Sequence, residues 1–191
     1  KFHYPTDNCV DKLPDHFYDK ADSDTYMPCH VSCDTCVGGA ETDCTKCNYV
    51  GLYYPKIETV EDNATQFECF SNTADIPKPP GDGYYLDKEP NKLEGVFKKC
   101  HEACQACEGE GDNSNSNCLS CKTGYHPYED LPSNCTNVEP PSHYFEDGKY
   151  KKCYPNCETC YQKGTAESML CYTCLPGFAR ATDNGIFNDG K

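Results

Sequence analysis

One arrangement of cysteines recurs three times and limits what this chain can become. It reads C-x3-C-x2-C, then seven or ten residues, then C-x2-C. The copies are Cys29, Cys33, Cys36, Cys44 and Cys47; Cys100, Cys104, Cys107, Cys118 and Cys121; and Cys153, Cys157, Cys160, Cys171 and Cys174. Only Cys9, Cys69 and Cys135 fall outside it. A repeat of this kind implies an array of similar units rather than one large globular core.

Composition points the same way. There are 18 Cys and no Trp in 191 residues. Leu, Ile, Val and Phe together make up only about one residue in seven, too few for a conventional core. Small secreted modules replace the missing core with disulfides, each contributing roughly 2–4 kcal/mol by restricting the unfolded chain. The formal net charge of −14 argues against nucleic acid and anionic membrane surfaces, which need basic patches. No apolar run approaches the roughly 20 residues that span a bilayer, so direct membrane insertion is not expected. The chain opens Lys1-Phe2-His3-Tyr4 without an initiator Met, which reads as a mature or excised piece.

The segments between the clusters repeat as well. After the fifth cysteine comes an aromatic-Pro stretch, Tyr53-Tyr54-Pro55 in the first unit and Tyr125-His126-Pro127 in the second; the third has Gly177-Phe178 without the Pro. A sixth cysteine follows, Cys69 or Cys135. Then come aromatic segments bounded by turn residues: Asp15–Asp19, Gly83–Asp87 and Ser142–Glu146. An aromatic stands three residues before each leading cysteine: Tyr26, Phe97 and Tyr150. These pieces predict short β-hairpins. Asp183-Asn184-Gly185 adds a two-residue hairpin signal. No helical period is sustained, and a turn of helix is expected only inside the C-x3-C-x2-C clusters. The expected fold is small, disulfide-rich and mostly β: an elongated rod of tandem short β-hairpin modules with little conventional hydrophobic core.

The residues Cys29-His30-Val31-Ser32-Cys33-Asp34-Thr35-Cys36, continuing to Cys44-Thr45-Lys46-Cys47, resemble the furin-like cysteine-rich repeat. So do Cys100–Cys107 and Cys153–Cys160 with the C-x2-C pairs that follow them. The arrays are also similar to the CxxC-rich surface proteins of protists: Giardia variable surface proteins, ciliate surface antigens and Entamoeba lectin-associated surface proteins. Spacing alone leaves the connectivity open. The resemblance implies first-to-third, second-to-fourth and fifth-to-sixth pairing. Here that is Cys29–Cys36, Cys33–Cys44, Cys47–Cys69, Cys100–Cys107, Cys104–Cys118, Cys121–Cys135, Cys153–Cys160 and Cys157–Cys171. Cys9 and Cys174 are left unpaired within the chain or available between chains. The implied organisation is 1–28, the end of a partial repeat with a lead-in hairpin; 29–99, repeat 1; 100–152, repeat 2; and 153–191, repeat 3, truncated before its last cysteine.

Cys174 is a fifth cysteine without a sixth, and Cys9 resembles a sixth without a fifth. The stretch beyond Cys174 joined to the stretch before Cys9 has the length of a module's closing loop. The expected partners are therefore copies of the chain, or adjoining repeats, joined head-to-tail through Cys174 and Cys9. The alternative is an excised fragment of a longer ectodomain.

Rival chemistry is weaker. C-x2-C-x7–10-C-x2-C has the look of a four-thiolate zinc site, but the extra leading and sixth cysteines make the natural count six. Two sequons, Asn63-Ala64-Thr65 and Asn134-Cys135-Thr136, mark N-glycan acceptors and suit a secretory chain. Oxygen-rich loops at 112–117 and 183–189 lack a complete calcium pattern. Ile76–Gly81 reads as a stiff connector. The six His and the paired cysteines form no catalytic constellation, and no metal or cofactor is implied. The expected function is a non-enzymatic extracellular structural protein: a disulfide-stapled segment of a coat, stalk or filament. A ligand-binding or adhesin ectodomain is the second reading.

Overall fold

The computed structural model describes residues 2–3, 8–73, 77–78 and 80–179. The hairpin signal at Asp183-Asn184-Gly185, the oxygen-rich loop at 183–189, and Tyr4-Pro5 lie outside these residues. The chain divides into two compact units, Lys1–Lys99 and Cys100–Lys191. Strand makes up 35% and helix 3%, as expected of a small disulfide-rich β protein.

In the first unit, β1 (Phe2–His3), β2 (Asn8–Cys9), β3 (Phe17–Asp19) and β4 (Thr25–Pro28) form a sheet of order β2-β1-β4-β3. β1 runs parallel to β4; the other pairs are antiparallel. The remaining strands pair two by two: β5 (Cys33–Cys36) with β6 (Cys44–Cys47), β7 (Ser71–Asn72) with β8 (Pro77–Lys78), and β9 (Tyr84–Asp87) with β10 (Val96–Lys99). The supposed connector is thus partly strand, since Pro77–Lys78 pairs with Ser71–Asn72. In the second unit the pairs are β11 (Cys104–Cys107) with β12 (Cys118–Cys121), β13 (His126–Pro127) with β14 (Cys135–Thr136), β15 (His143–Glu146) with β16 (Lys149–Lys152), and β17 (Cys157–Cys160) with β18 (Cys171–Cys174).

The aromatic segments form β3, β9 and β15, and each pairs with the strand that leads into the next cluster. Alternation sends Tyr26, Phe97 and Tyr150 inward, where all three are buried. The β15–β16 turn is Asp147-Gly148, whose φ values of +54° and +78° are those of a type I′ turn, the turn whose twist suits a hairpin.

Among the described residues the one helix lies elsewhere than expected. The clusters hold single turns, with the Cys33 amide donating to the His30 carbonyl at 2.9 Å, and α1 (Ile57–Glu61) follows the aromatic-Pro stretch of the first unit. Five residues are too short to show a period. Its C-terminus closes by backbone bonds: Ala64 N–H donates to Thr59 O at 3.2 Å and Asn63 N–H to Val60 O at 3.3 Å. Asn63 has φ +50°, the left-handed C′ residue of a Schellman motif, a position that Asn tolerates.

The cores are small, built of cystine sulfur and a few aromatic rings. Phe97 is 1% exposed and meets the edge of Tyr54, with ring centroids 6.2 Å apart. Phe97→Ala should cost about 3–5 kcal/mol of stability to denaturant with disulfides intact. Val50→Ala, at a residue 79% exposed, should stay within about 0.5 kcal/mol. Equal effects would mean that the aromatics do not carry the core.

Candidate functional site: the cysteine clusters, their joints and the edge at Cys174

Each cluster is a hairpin of two C-x2-C strands. Cys33 faces Cys47 and Cys36 faces Cys44; the second cluster places Cys104 opposite Cys121 and Cys107 opposite Cys118; the third places Cys157 opposite Cys174 and Cys160 opposite Cys171. The register shifts between these pairs in all three. Disulfides join Cys33 to Cys44, Cys104 to Cys118 and Cys157 to Cys171 across the hairpins. Cys29–Cys36, Cys100–Cys107 and Cys153–Cys160 tie down the incoming turns. Cys47–Cys69 and Cys121–Cys135 tie down the closing segments, and Cys9 and Cys174 are free.

A backbone bond repeats beside these bridges. The residue after the fifth cysteine donates to the residue before the second: Asn48 to Ser32 at 2.9 Å, Lys122 to Ala103 at 2.9 Å, Leu175 to Asn156 at 3.0 Å. Ser32 is fully buried, its hydroxyl 2.8 Å from His30 Nδ1 and 3.7 Å from Cys44 Sγ. Its role was not legible in the sequence, because the other clusters carry Ala103 and Asn156 there.

A second feature recurs three times. Lys56 bridges in parallel to Phe97, and Tyr128 to Tyr150; β1 makes the same parallel contact with β4 through His3 and Tyr26. The Phe97 amide donates to Pro55 O at 2.8 Å, and Glu129 N–H to Tyr150 O at 2.9 Å. Towards β4, the β1–β2 pair therefore occupies the place that the stretch ending at Cys69 occupies towards β10 and the stretch ending at Cys135 occupies towards β16. Cys9 pairs with Phe2 on β1–β2 as Cys135 pairs with Pro127 on β13–β14.

At the first joint Glu58 Oε1 accepts from Lys99 Nζ and from the Tyr84 hydroxyl, both at 2.7 Å. Partial burial raises the Glu58 carboxyl, but these two hydrogen bonds, its own backbone amide and the Lys99 charge outweigh it and hold the pKa near about 2. Burial, then the bond to Glu58, pushes the Tyr84 phenol up. Lys56 Nζ lies 4.6 Å from the centre of the Phe70 ring and 4.8 Å from that of Tyr84.

The third cluster differs at its edge. In the first, the Phe67 amide donates to Cys44 O at 2.9 Å; in the second, Cys118 donates to Ser133 O at 2.8 Å. The closing segment thus runs beside the strand of the fourth cysteine. Among the described residues, no such segment lies against the third cluster. A groove of about 610 Å³ stands there, lined by Tyr161, Met169, Leu170, Tyr172 and Cys174. Tyr161 and Tyr172 pack with ring centroids 5.3 Å apart and are largely exposed, as is Phe178.

The other candidates take structural roles. Both C-x2-C pairs of a zinc-like set are spent on disulfides that lead to different partners, and no group of three His, Cys, Asp or Glu among the described residues could hold a metal ion. The loop at 112–117 closes on itself. Asp112 Oδ1 accepts from Ser114 N–H at 2.7 Å and Asn115 N–H at 2.8 Å, bonds that lower its pKa, and Asn115 Nδ2 donates to Asn117 Oδ1 at 2.8 Å. His126 stacks edge-on against Phe145, and His143 lies 2.7 Å from Pro141 O.

Nearly the whole length of the chain has relatives. It is 26% identical over 181 residues to the Tetrahymena thermophila "Cysteine repeat modular protein 2", covering 90% of this chain and 8% of that protein. It is 25% identical over 170 residues to the Drosophila melanogaster "Furin-like protease 2", covering 87% and 8%. It is 29% identical over 179 residues to the mouse "Protein disulfide isomerase Creld2", covering 92% and 43%. Its homologues are furin-like cysteine-rich repeat proteins. The chain spans less than half the length of each of these three. No family model and no solved structure matches it.

Because the folded Glu58 carboxyl titrates near about 2 and an unfolded one near about 4.3, its stabilisation is whole above about pH 5 and is lost as the pH falls through about 2. With disulfides intact, the thermal midpoint of the wild type should fall more steeply across that window than that of Glu58→Gln. Parallel curves would remove Glu58 from the joint's energetics.

Proposed function

We propose that this chain is a non-enzymatic, extracellular structural segment whose repeats continue in series, with Cys174 of one copy or repeat bonded to a sixth cysteine such as Cys9 of the next. The repeats are assigned as 29–99, 100–152 and 153–191, with 1–28 supplying the end of a preceding one. The observation that carries this reading is the edge at Cys174. Two clusters bond their fifth cysteine to a closing segment, and the third keeps that cysteine free beside an open groove. The N-terminal β1–β2 pair carries Cys9, which is exposed. The parallel contact between a closing stretch and the strand that leads into the next cluster recurs three times, which suits repetition in series.

The bond would form by thiol–disulfide exchange with a secretory oxidoreductase. A Cys174 thiolate attacks the enzyme's mixed disulfide with Cys9, the new S–S bond forms, and the enzyme leaves as its thiol. The enzyme's disulfide takes up the two electrons and the two thiol protons. The eight internal bridges suit folding in an oxidising compartment, and no helix among the described residues is long and apolar enough to cross a membrane.

A second reading, a ligand-binding ectodomain, is favoured by the exposed Tyr161–Tyr172 pair. The corresponding positions of the first cluster carry Val37 and Thr45, and those of the second Glu108 and Leu119. A binding site need not recur in every repeat.

The test is non-reducing peptide mapping of the secreted chain with free thiols blocked at lysis. The expected result is a Cys9–Cys174 linked peptide in disulfide-bonded oligomers, lost in Cys174→Ser. Monomers with both cysteines alkylated would overturn serial assembly and move attention to Tyr161 and Tyr172.

A further inference from the structure

The two sequons are alike in sequence and unlike in structure. Residues 61–66 are all exposed, so Asn63-Ala64-Thr65 stands wholly in solvent just beyond α1. Its place there is fixed by the backbone, since Asn63 is the left-handed C′ residue that ends the helix. The carboxamide has no part in that closure; its one contact is Nδ2 to Glu61 O at 3.5 Å, the outer limit of a hydrogen bond. Asn134 is placed differently. Its Oδ1 accepts from the Ser116 hydroxyl at 2.6 Å and from Ser116 N–H at 3.3 Å, and its Nδ2 donates to Ser114 O at 3.2 Å. Ser116 is 1% exposed, and its hydroxyl also accepts from Cys135 N–H at 3.5 Å. Asn134 thereby ties the self-closed loop at 112–117 to the segment that carries Cys135, itself buried and bonded to Cys121.

We infer that Asn63 is the N-glycan acceptor of this chain and that Asn134, although it stands in a sequon, is a polar clamp that stays unmodified. Removing a buried Ser116 from its acceptor would leave an unsatisfied hydroxyl, the costly case for a hydrogen bond. A bulky group on Asn134 Nδ2 would have to displace the Ser114 contact beside a disulfide. Asn63 carries no such obligation. In the transfer step, Asn63 Nδ2 bonds to the anomeric carbon of an oligosaccharide carried on a polyprenyl diphosphate. The carbon–oxygen bond to the diphosphate breaks, the polyprenyl diphosphate leaves, and the amide proton passes to a base of the transferase. The inference rests on the extracellular part of the proposed function and is independent of serial assembly.

The test is secretion of the full chain from a eukaryotic host behind a signal peptide, followed by glycopeptide mapping before and after peptide-N-glycosidase. The expected result is a glycan on Asn63 alone. Thr65→Ala removes the sequon while keeping the helix-ending Asn63, and should abolish the glycan. Asn134→Gln should leave the glycan mass unchanged and lower the thermal midpoint. A glycan on Asn134, or a secreted, disulfide-bonded chain bare at Asn63, would overturn the inference. So would an Asn134→Gln variant as stable as the wild type, which would remove the clamp.

Discussion

The bridge across each hairpin, Cys33–Cys44, Cys104–Cys118 or Cys157–Cys171, is the contact on which everything else is hung. A two-stranded hairpin is marginal alone in water, and these strands are four residues long. By loop-closure entropy each bridge contributes about 2.5–3.5 kcal/mol. That contribution stands in for a core that the composition cannot supply. With the hairpin fixed, the first-to-third bridge fixes the incoming turn. The fifth-to-sixth bridge then brings the aromatic-Pro stretch back against the strand that opens the next module. Tyr26, Phe97 and Tyr150 fill the space so formed.

The same logic explains why the joints matter. A cluster buries little beyond its own sulfurs and a tyrosine, so its packing is completed by the hairpin that follows it. The parallel bridges at His3–Tyr26, Lys56–Phe97 and Tyr128–Tyr150 are where that completion happens. At the first of the joints between clusters, Glu58, Lys99 and Tyr84 add an ion pair and a hydrogen bond on a helix that the other joints lack. Among the described residues no closing segment lies against the strand beside Cys174, and the proposed serial bond is placed there.

Much of the fold was legible because the signals were local. β3, β9 and β15 announce themselves as aromatic runs bounded by Gly, Asp or Ser, and the aromatics before each leading cysteine fall on the inward face by alternation. The parallel joints were not legible: their backbone contacts come from His3, Lys56 and Tyr128, which share no side-chain chemistry. The helix at Ile57–Glu61 was missed because five residues set no period, and its end is written in the backbone at Asn63. Of the candidate site, the odd cysteines were visible by counting. The groove beside Cys174 was not, since Tyr161, Met169, Leu170 and Tyr172 come from both arms of a hairpin and the loop between them. The unlike settings of the two sequons depend on Ser114 and Ser116, some twenty residues away from Asn134, a distance over which sequence reading has no grip.

The central claim is that disulfides, not apolar burial, hold these modules together. Amide hydrogen exchange on the chain, reduced and alkylated in the absence of denaturant, tests it most directly. The account predicts that protection at the cluster strands, such as Cys104–Cys107 and Cys118–Cys121, collapses to that of an unfolded chain. Persistent protection of those strands after every bridge is broken would contradict it.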